Sequence, residues 1–290
     1  MKSSACLIVN PVSGRFSKKN LLKVKSILSN RFDPLEVYFT HSSSDATQAA
    51  REYANREFDV IIAFGGDGTL NEVVNGVALS RSTVGFIPAG TTNVFAKETG
   101  IPEEPEKAAE LIVNGTSRQI NLGCINDERY FLLMAGIGFD AEAVCNIKKG
   151  LKKSFGKLAY ILSGFEVFLK KRPVELTVTV NDESVIRCYG VIICNASKYA
   201  GNFIVCPDAS LFRPELQAFL IKKGDRLSTL KYVFGIITGK HLKYKDAAFI
   251  KGSHFKVQGH TRVQIDGDCF GHSPVEVSIR ENAVKIILGE

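Results

Sequence analysis

The stretch FDVIIAFGGDGTLNEVVNG, from Phe58 to Gly76, restricts the fold more than any other part of the chain. Val60–Phe64 is an unbroken apolar run, as expected of a strand covered on both faces. Gly65, Gly66, Asp67, Gly68 and Thr69 follow. Leu70, Val73, Val74, Val77 and Ala78 then recur at the spacing of an amphipathic helix. A buried strand therefore turns through three glycines into a helix. Such a turn presents backbone N–H groups at a helix N-terminus, where hydrogen bonds and the helix dipole favour phosphate. A carboxylate at Asp67 would repel phosphate unless a cation lay between them. That makes Asp67 a candidate magnesium partner, directly or through water; the alternative is an ordinary glycine turn with Asp67 as N-cap. The spacing is neither GxxxxGK(S/T) nor GxGxxG, which argues against a P-loop ATPase or a Rossmann dehydrogenase.

Two more loops follow apolar strands. Asn10-Pro11-Val12-Ser13-Gly14 comes after Ala5–Val9, and Pro88-Ala89-Gly90-Thr91-Thr92-Asn93 comes after Val84–Ile87. In an open α/β sheet the loops at strand C-termini form the ligand crevice. Helices are expected at Leu21–Leu28, at Ala46–Arg56 behind Ser44 or Asp45, and from Pro105 to Asn114. A second strand is expected at Leu35–Thr40. This alternation predicts a doubly wound, parallel α/β domain over residues 1–122. After Asn121 short strands dominate: Tyr130–Ala135, Glu175–Val180, Val185–Cys194, Leu216–Ile221, His254–Gln258, Arg262–Ile265, Val275–Arg280 and Ala283–Leu288. They predict a mainly antiparallel sandwich or barrel over residues 123–290, with the last strand free to return to the first domain. Helices at Phe155–Lys170 and Leu227–Gly239 interrupt it. With Phe203 they could border an apolar slot or simply pack in a core.

The chain of 290 residues carries a formal net charge of +7, suited to anionic lipid, polyphosphate or nucleic acid. No nucleic-acid motif accompanies the charge. The cluster Lys148, Lys149, Lys152, Lys153 and Lys157 reads as a membrane-docking patch or a solvated helix face. No segment is long enough to span a bilayer. The seven cysteines show no CxxC pair and read as small buried hydrophobes of a reducing compartment.

Two acidic stretches could serve an acceptor. Ile265-Asp266-Gly267-Asp268 puts two carboxylates on a tight turn, where one could take a proton from a hydroxyl; the plain alternative is a D-G hairpin turn. Gly136-Ile137-Gly138-Phe139-Asp140 places a carboxylate after an apolar strand, either for a substrate or as an N-cap.

G-G-D-G-T-L-N-E, with N-P-V-S-G before it and P-A-G-T-T-N after it, resembles the diacylglycerol kinase catalytic family, which includes bacterial soluble lipid kinases and sphingosine and ceramide kinases. The GGDGT turn is shared with NAD kinases. The resemblance covers nearly the whole chain. It implies an NAD kinase-like α/β domain followed by a β-sandwich, and an ATP- and magnesium-dependent kinase acting on a hydroxyl of a diacylglycerol-like or sphingoid lipid. It assigns nucleotide contacts to Asn10, Pro11, Ser13, Gly14, Thr40, Gly65, Gly66, Asp67, Gly68, Thr69, Leu70, Asn71, Thr91 and Asn93, with Mg2+ near Asp67 and Lys97 near phosphate. It assigns proton acceptance to Asp268, in the place of the family's glutamate, and the lipid head group to Asp140; Asp266, on the same turn as Asp268, is a further candidate substrate contact. Two departures stand out. Val94 replaces a common aspartate, and Arg213 falls where some relatives hold a structural magnesium, so that metal is not expected. A cytoplasmic protein touching membranes peripherally follows, with a lipid substrate, no nucleic acid and a homodimer as an open expectation. A kinase of a polar metabolite and a catalytically inactive nucleotide-binding regulator remain the alternatives.

Overall fold

The computed structural model of the chain describes residues 3–146 and 173–289. The helix expected at 155–170 and the five clustered lysines (148, 149, 152, 153 and 157) lie outside the described residues. Two compact units divide the chain: Met1–Asn121 with Glu281–Glu290, and Leu122–Arg280.

The first unit runs β1 (Ser3–Val9), α1 (Lys18–Leu28), β2 (Phe32–Phe39), α2 (Asp45–Asn55), β3 (Val60–Gly65), α3 (Asp67–Val77), β4 (Thr83–Pro88), α4 (Val94–Thr99), α5 (Pro105–Asn114) and the start of β5 (Thr116–Ile125). Its strands pair in parallel in the order β2-β1-β3-β4. Residues 281–288 add a parallel neighbour to β4, with Lys285 and Ile286 opposite Thr83 and Val84. Ala5–Val9 and Ile61–Phe64 are wholly buried, as two-sided coverage requires. α1 packs on α5 and α2 on α3. The strand order reverses between β1 and β3, the switch point at which open α/β sheets hold ligands. The loops 10–14 and 65–69 leave from those two strands.

The second unit contains β6 (Arg129–Phe131), β7 (Met134–Gly138), α6 (Phe139–Cys145), β8 (Leu176–Val180), β9 (Ser184–Cys188), β10 (Gly190–Cys194), β11 (Lys198–Tyr199), β12 (Phe203–Ile204), β13 (Leu216–Ile221), α7 (Arg226–Thr238), β14 (Ala247–Gly252), β15 (His254–Gln258), β16 (Arg262–Ile265), β17 (Asp268–His272) and the first half of β18 (Val275–Leu288). One sheet has the order β14-β13-β10-β7-β16-β17; the other places β18, β15, β8 and β9 side by side. Their inner faces share an apolar core that includes Ile137, Val191 and Val263 from the first, and Val178, Val257 and Val277 from the second. This is a β-sandwich.

Several expected boundaries shift. Tyr130–Ala135 is two strands, because the amides of Leu132, Leu133 and Met134 all turn to the Asp266 carboxylate. Val185–Cys194 breaks at Tyr189, and its halves join different sheets. Val275–Leu288 is continuous through Asn282, which takes φ 49° while its amide donates to Asn121 Oδ1. β14 and β17 were not expected; as edge strands they bury little, and their sequences lack clean alternation. The cysteine reading also needs correction. Cys145, ending α6, is disulfide-bonded to Cys269 in β17, with Cα atoms 5.1 Å apart. Neither lies in an apolar strand-like run. The other five are buried thiols.

Candidate active site

In the first unit three loops close on one another at the C-terminal ends of β1, β3 and β4. Asn10 Nδ2 donates to Thr69 Oγ1 at 3.0 Å, and the Asn10 amide donates to Phe64 O at 3.0 Å. The Arg15 amide donates to Ala89 O at 2.8 Å, joining the first loop to the third. Gly66 and Gly90 touch through their backbones: a Cβ on Gly90 would stand 2.7 Å from Gly66 Cα and 2.7 Å from Asn93 Oδ1. A Cβ on Gly65 would meet the Thr69 side chain at 2.4 Å. These positions therefore exclude any side chain. Thr40 borders the group at the end of β2, its amide donating to Val9 O. Pro11, Gly14 and Thr91 are exposed and Ser13 is half-buried.

α3 starts at Asp67 behind Gly66, with no side-chain cap on its first amides. The N-terminus of this eleven-residue helix, with its N–H groups and dipole, favours an anionic acceptor. Asp67 is not the N-cap of α3. Its Oδ2 accepts from the Val94 amide at 2.9 Å and its Oδ1 from the Phe95 amide at 3.0 Å, so it caps α4 instead. Burial pushes its carboxyl above the usual range, while the Phe95 and Val94 amides and Lys97 pull the other way. Val94, lacking a carboxylate, still serves through its N–H. Leu70 needs correction as a nucleotide contact: its side chain is fully buried and its amide donates to Gly66 O. Asn71 is also buried, and its carbonyl and side-chain oxygens accept from Asn75.

Sequence reasoning passed over Glu103. Its carboxylate accepts from Arg15 at 2.7 Å and Asn93 Nδ2 at 3.1 Å, with Lys97 Nζ at 3.6 Å. It thereby ties the first loop, the third loop and α4. Burial acts against the charged form, but the Asn93 bond, Lys97 and Arg15 together hold its carboxyl below the usual range. No local motif surrounds it. Three partners of differing sequence position reveal it only in the fold.

The second unit holds the other acidic residues. Asp266 and Gly267 have φ 48° and 87° and form the two-residue turn between β16 and β17. Asp266 is not displayed beside Asp268. Its carboxylate accepts three backbone bonds, from Leu132, Leu133 and Met134 at 2.8–2.9 Å. It pins the turn, whereas Asp268 is exposed at the start of β17. Asp140 is not an N-cap either; Gly138 holds that position. The Asp140 carboxylate accepts from Tyr199 Oη and from Gln264 Nε2 at 2.8 Å. Burial pushes it above the ordinary carboxylate range against both of those bonds. Gln264 is itself fully buried, and its Oε1 accepts from the Gly267 amide at 2.8 Å. Arg213 Nη1 reaches Asp208 O at 3.4 Å.

Comparisons with known proteins match both halves of the sequence. A family model described as the diacylglycerol kinase catalytic domain matches residues 4–125. A second, the YegS C-terminal NAD kinase beta sandwich-like domain, matches residues 134–288. The diacylglycerol kinase of Bacillus subtilis (strain 168) is 36% identical over 279 residues, covering 94% of this chain and 92% of that protein. The diacylglycerol kinase of Staphylococcus haemolyticus (strain JCSC1435) is 30% identical over 285 residues, covering 94% and 84%. A crystal structure of a diacylglycerol kinase from Bacillus anthracis str. Sterne superposes with a TM-score of 0.82 at 26% identity, covering 99% of this chain and 97% of that one. On motifs, fold and overall identity alike, the chain belongs to the diacylglycerol kinase catalytic family.

Proposed function

We propose that this protein transfers the γ-phosphoryl group of ATP to a hydroxyl of a diacylglycerol-like or sphingoid lipid at a membrane surface, with magnesium as cofactor. One observation carries the reading: loops from β1, β3 and β4 interlock, through Asn10 with Thr69 and Gly66 with Gly90, around the N-terminus of α3. Side-chain-free backbone beside a helix N-terminus suits a polyphosphate, which needs close approach and backbone donors. The residues also suit magnesium held through water. Both Asp67 oxygens already accept a backbone amide, which favours a water-mediated role over direct ligation. Magnesium, when bound, spreads the negative charge of the phosphates.

The protein's own groups do the rest. Asn10 and Thr69 fix the first loop against α3. Asp67 holds α4, and with it Lys97, at the cradle. The acceptor oxygen attacks the γ-phosphorus, the bond to the β-bridging oxygen breaks, and ADP leaves. Asp268 takes the hydroxyl proton, on a turn pinned by Asp266 and Gln264.

The test is labelled ATP incubated with mixed lipid extract. A chloroform-soluble labelled product is expected. A water-soluble one would instead indicate a polar-metabolite kinase, and none would indicate a nucleotide-binding regulator. Asp268→Asn should lower kcat by about 10²–10⁴-fold, the usual value of a general base. Asp67→Asn should lower it comparably while circular dichroism stays unchanged. Full turnover in both variants would reject the mechanism.

A further inference from the structure

α7 is apolar on both sides, yet the described residues of the second unit cover only one. On the inner side Tyr232 is 1% exposed and meets Phe219 and Tyr244 edge-on, and a Cβ on Gly235 would stand 2.6 Å from the Tyr244 ring. The outer side shows Leu227, Leu230, Phe234 and Ile237, a single stripe at i, i+3, i+7 and i+10. Leu227 is 78% and Phe234 61% exposed. Leu242, in the short turn that follows α7, is exposed as well. Isolated exposed apolar side chains need no explanation; a continuous stripe of them does. Elsewhere among the described residues, exposed large apolar side chains such as Val12, Leu79 and Val185 occur singly.

The surroundings of the stripe are basic. Lys222, Lys223, Lys240, Lys243 and Lys245 are all exposed at its two ends. The acids of this segment are already engaged: Asp225 caps α7 through Ser228, and Asp246 accepts from Lys231 at 2.7 Å. No helix among the described residues is long and apolar enough to cross a membrane, so contact with a bilayer would be made along its surface.

We propose that the outer face of α7 docks on an anionic phospholipid bilayer, with Leu227, Leu230, Phe234 and Ile237 entering the boundary between head groups and acyl chains and the flanking lysines meeting lipid phosphates. Charge selects this occupant over a second copy of the chain, since two copies joined through this face would bring the same lysines together. The inference rests on the lipid-kinase reading, which requires access to an acceptor held in a membrane.

The test uses the full chain with phosphatidylcholine vesicles prepared with and without phosphatidylglycerol. Co-sedimentation is expected with the anionic vesicles, weakening as salt screens the lysines. The double variant Leu227→Glu/Phe234→Glu should bind them at least about tenfold less, since charge replaces inserted apolar surface and faces an anionic layer. Val185→Glu, on an exposed site in β9, should bind as the wild type does. Thermal unfolding and turnover of a water-soluble short-chain diacylglycerol should be unchanged in the double variant, while turnover of vesicle-borne acceptor falls with binding. Undiminished vesicle binding by the double variant overturns the proposal. So does a wild-type dimer, seen by sedimentation, that the double substitution dissolves without any lipid binding in either protein. A wild type that binds vesicles through α7 yet phosphorylates neither acceptor upholds the docking face and defeats the kinase reading instead.

Discussion

Gln264 donates from Nε2 to Asp140 Oδ2 at 2.8 Å, and its other end accepts the amide of Gly267, one residue before Asp268. The backbone N–H fixes the orientation of the side-chain amide, so the donor must face Asp140. Gln264→Glu would set two carboxylates against each other, forced to share a proton. The pair's folded pKa is then raised, so the variant's stability is intact below the ordinary carboxylate range and is lost as pH rises through the raised value. Unfolding midpoints measured from pH 4 to 8 should therefore fall with pH more steeply than in the wild type. The double variant Asp140→Asn/Gln264→Glu restores donor and acceptor at both ends and should recover stability. If Asp140 also touches the lipid, kcat stays low in the double variant; if it only supports the turn, kcat returns.

Glu103 links Arg15 of the first loop, Asn93 of the third and Lys97 of α4. Its folded pKa is depressed, so the stabilisation it gives is present above the unfolded value, about 4.3, and is lost as pH falls through the folded one. Glu103→Gln should melt lower than the wild type at pH 7, and the gap should close as the buffer is acidified below the unfolded value. In steady-state kinetics KM for ATP should change more than stability does, because the two cations lose their common anchor.

The contact between Gly66 and Gly90 leaves no space for a methyl group. Gly90→Ala should push the two loops apart at a cost of about 1–3 kcal/mol and raise KM for ATP about tenfold or more. Gly190→Ala is the matched control. Its added Cβ would find its nearest neighbour at 3.6 Å, and both stability and KM should stay near wild type.

The disulfide between Cys145 and Cys269 closes a loop across 124 residues of sequence. By loop entropy its reduction should lower unfolding stability by up to about 4–5 kcal/mol. Denaturant titration with and without dithiothreitol measures this. Cys145→Ser/Cys269→Ser should match the reduced protein and be insensitive to the reagent. Because the bond joins the helix of Asp140 to the strand that Asp268 opens, kcat should decline together with stability.

What could be read from the residues was what repeats or punctuates. Val60–Phe64, the three-glycine turn and the helix after it followed from periodicity and from glycine chemistry. The change of texture near residue 122 announced a β-rich second unit. Side-chain bonds between distant residues stayed hidden. Asp67 looks like a cap for its own helix and instead caps α4, 27 residues on. Asp266 looks like a partner of Asp268 and instead binds amides more than 130 residues earlier. The break at Tyr189 and the edge strands β14 and β17 escaped because edges bury little and strand patterns record burial.

Residues 281–288 complete the sheet of the first unit beside β4. During synthesis, the first unit must therefore wait, with one strand's hydrogen-bonding edge unsatisfied, while the ribosome makes the whole second unit. A fragment cut at residue 122 would keep that edge bare permanently, so it should self-associate rather than behave as an independent domain.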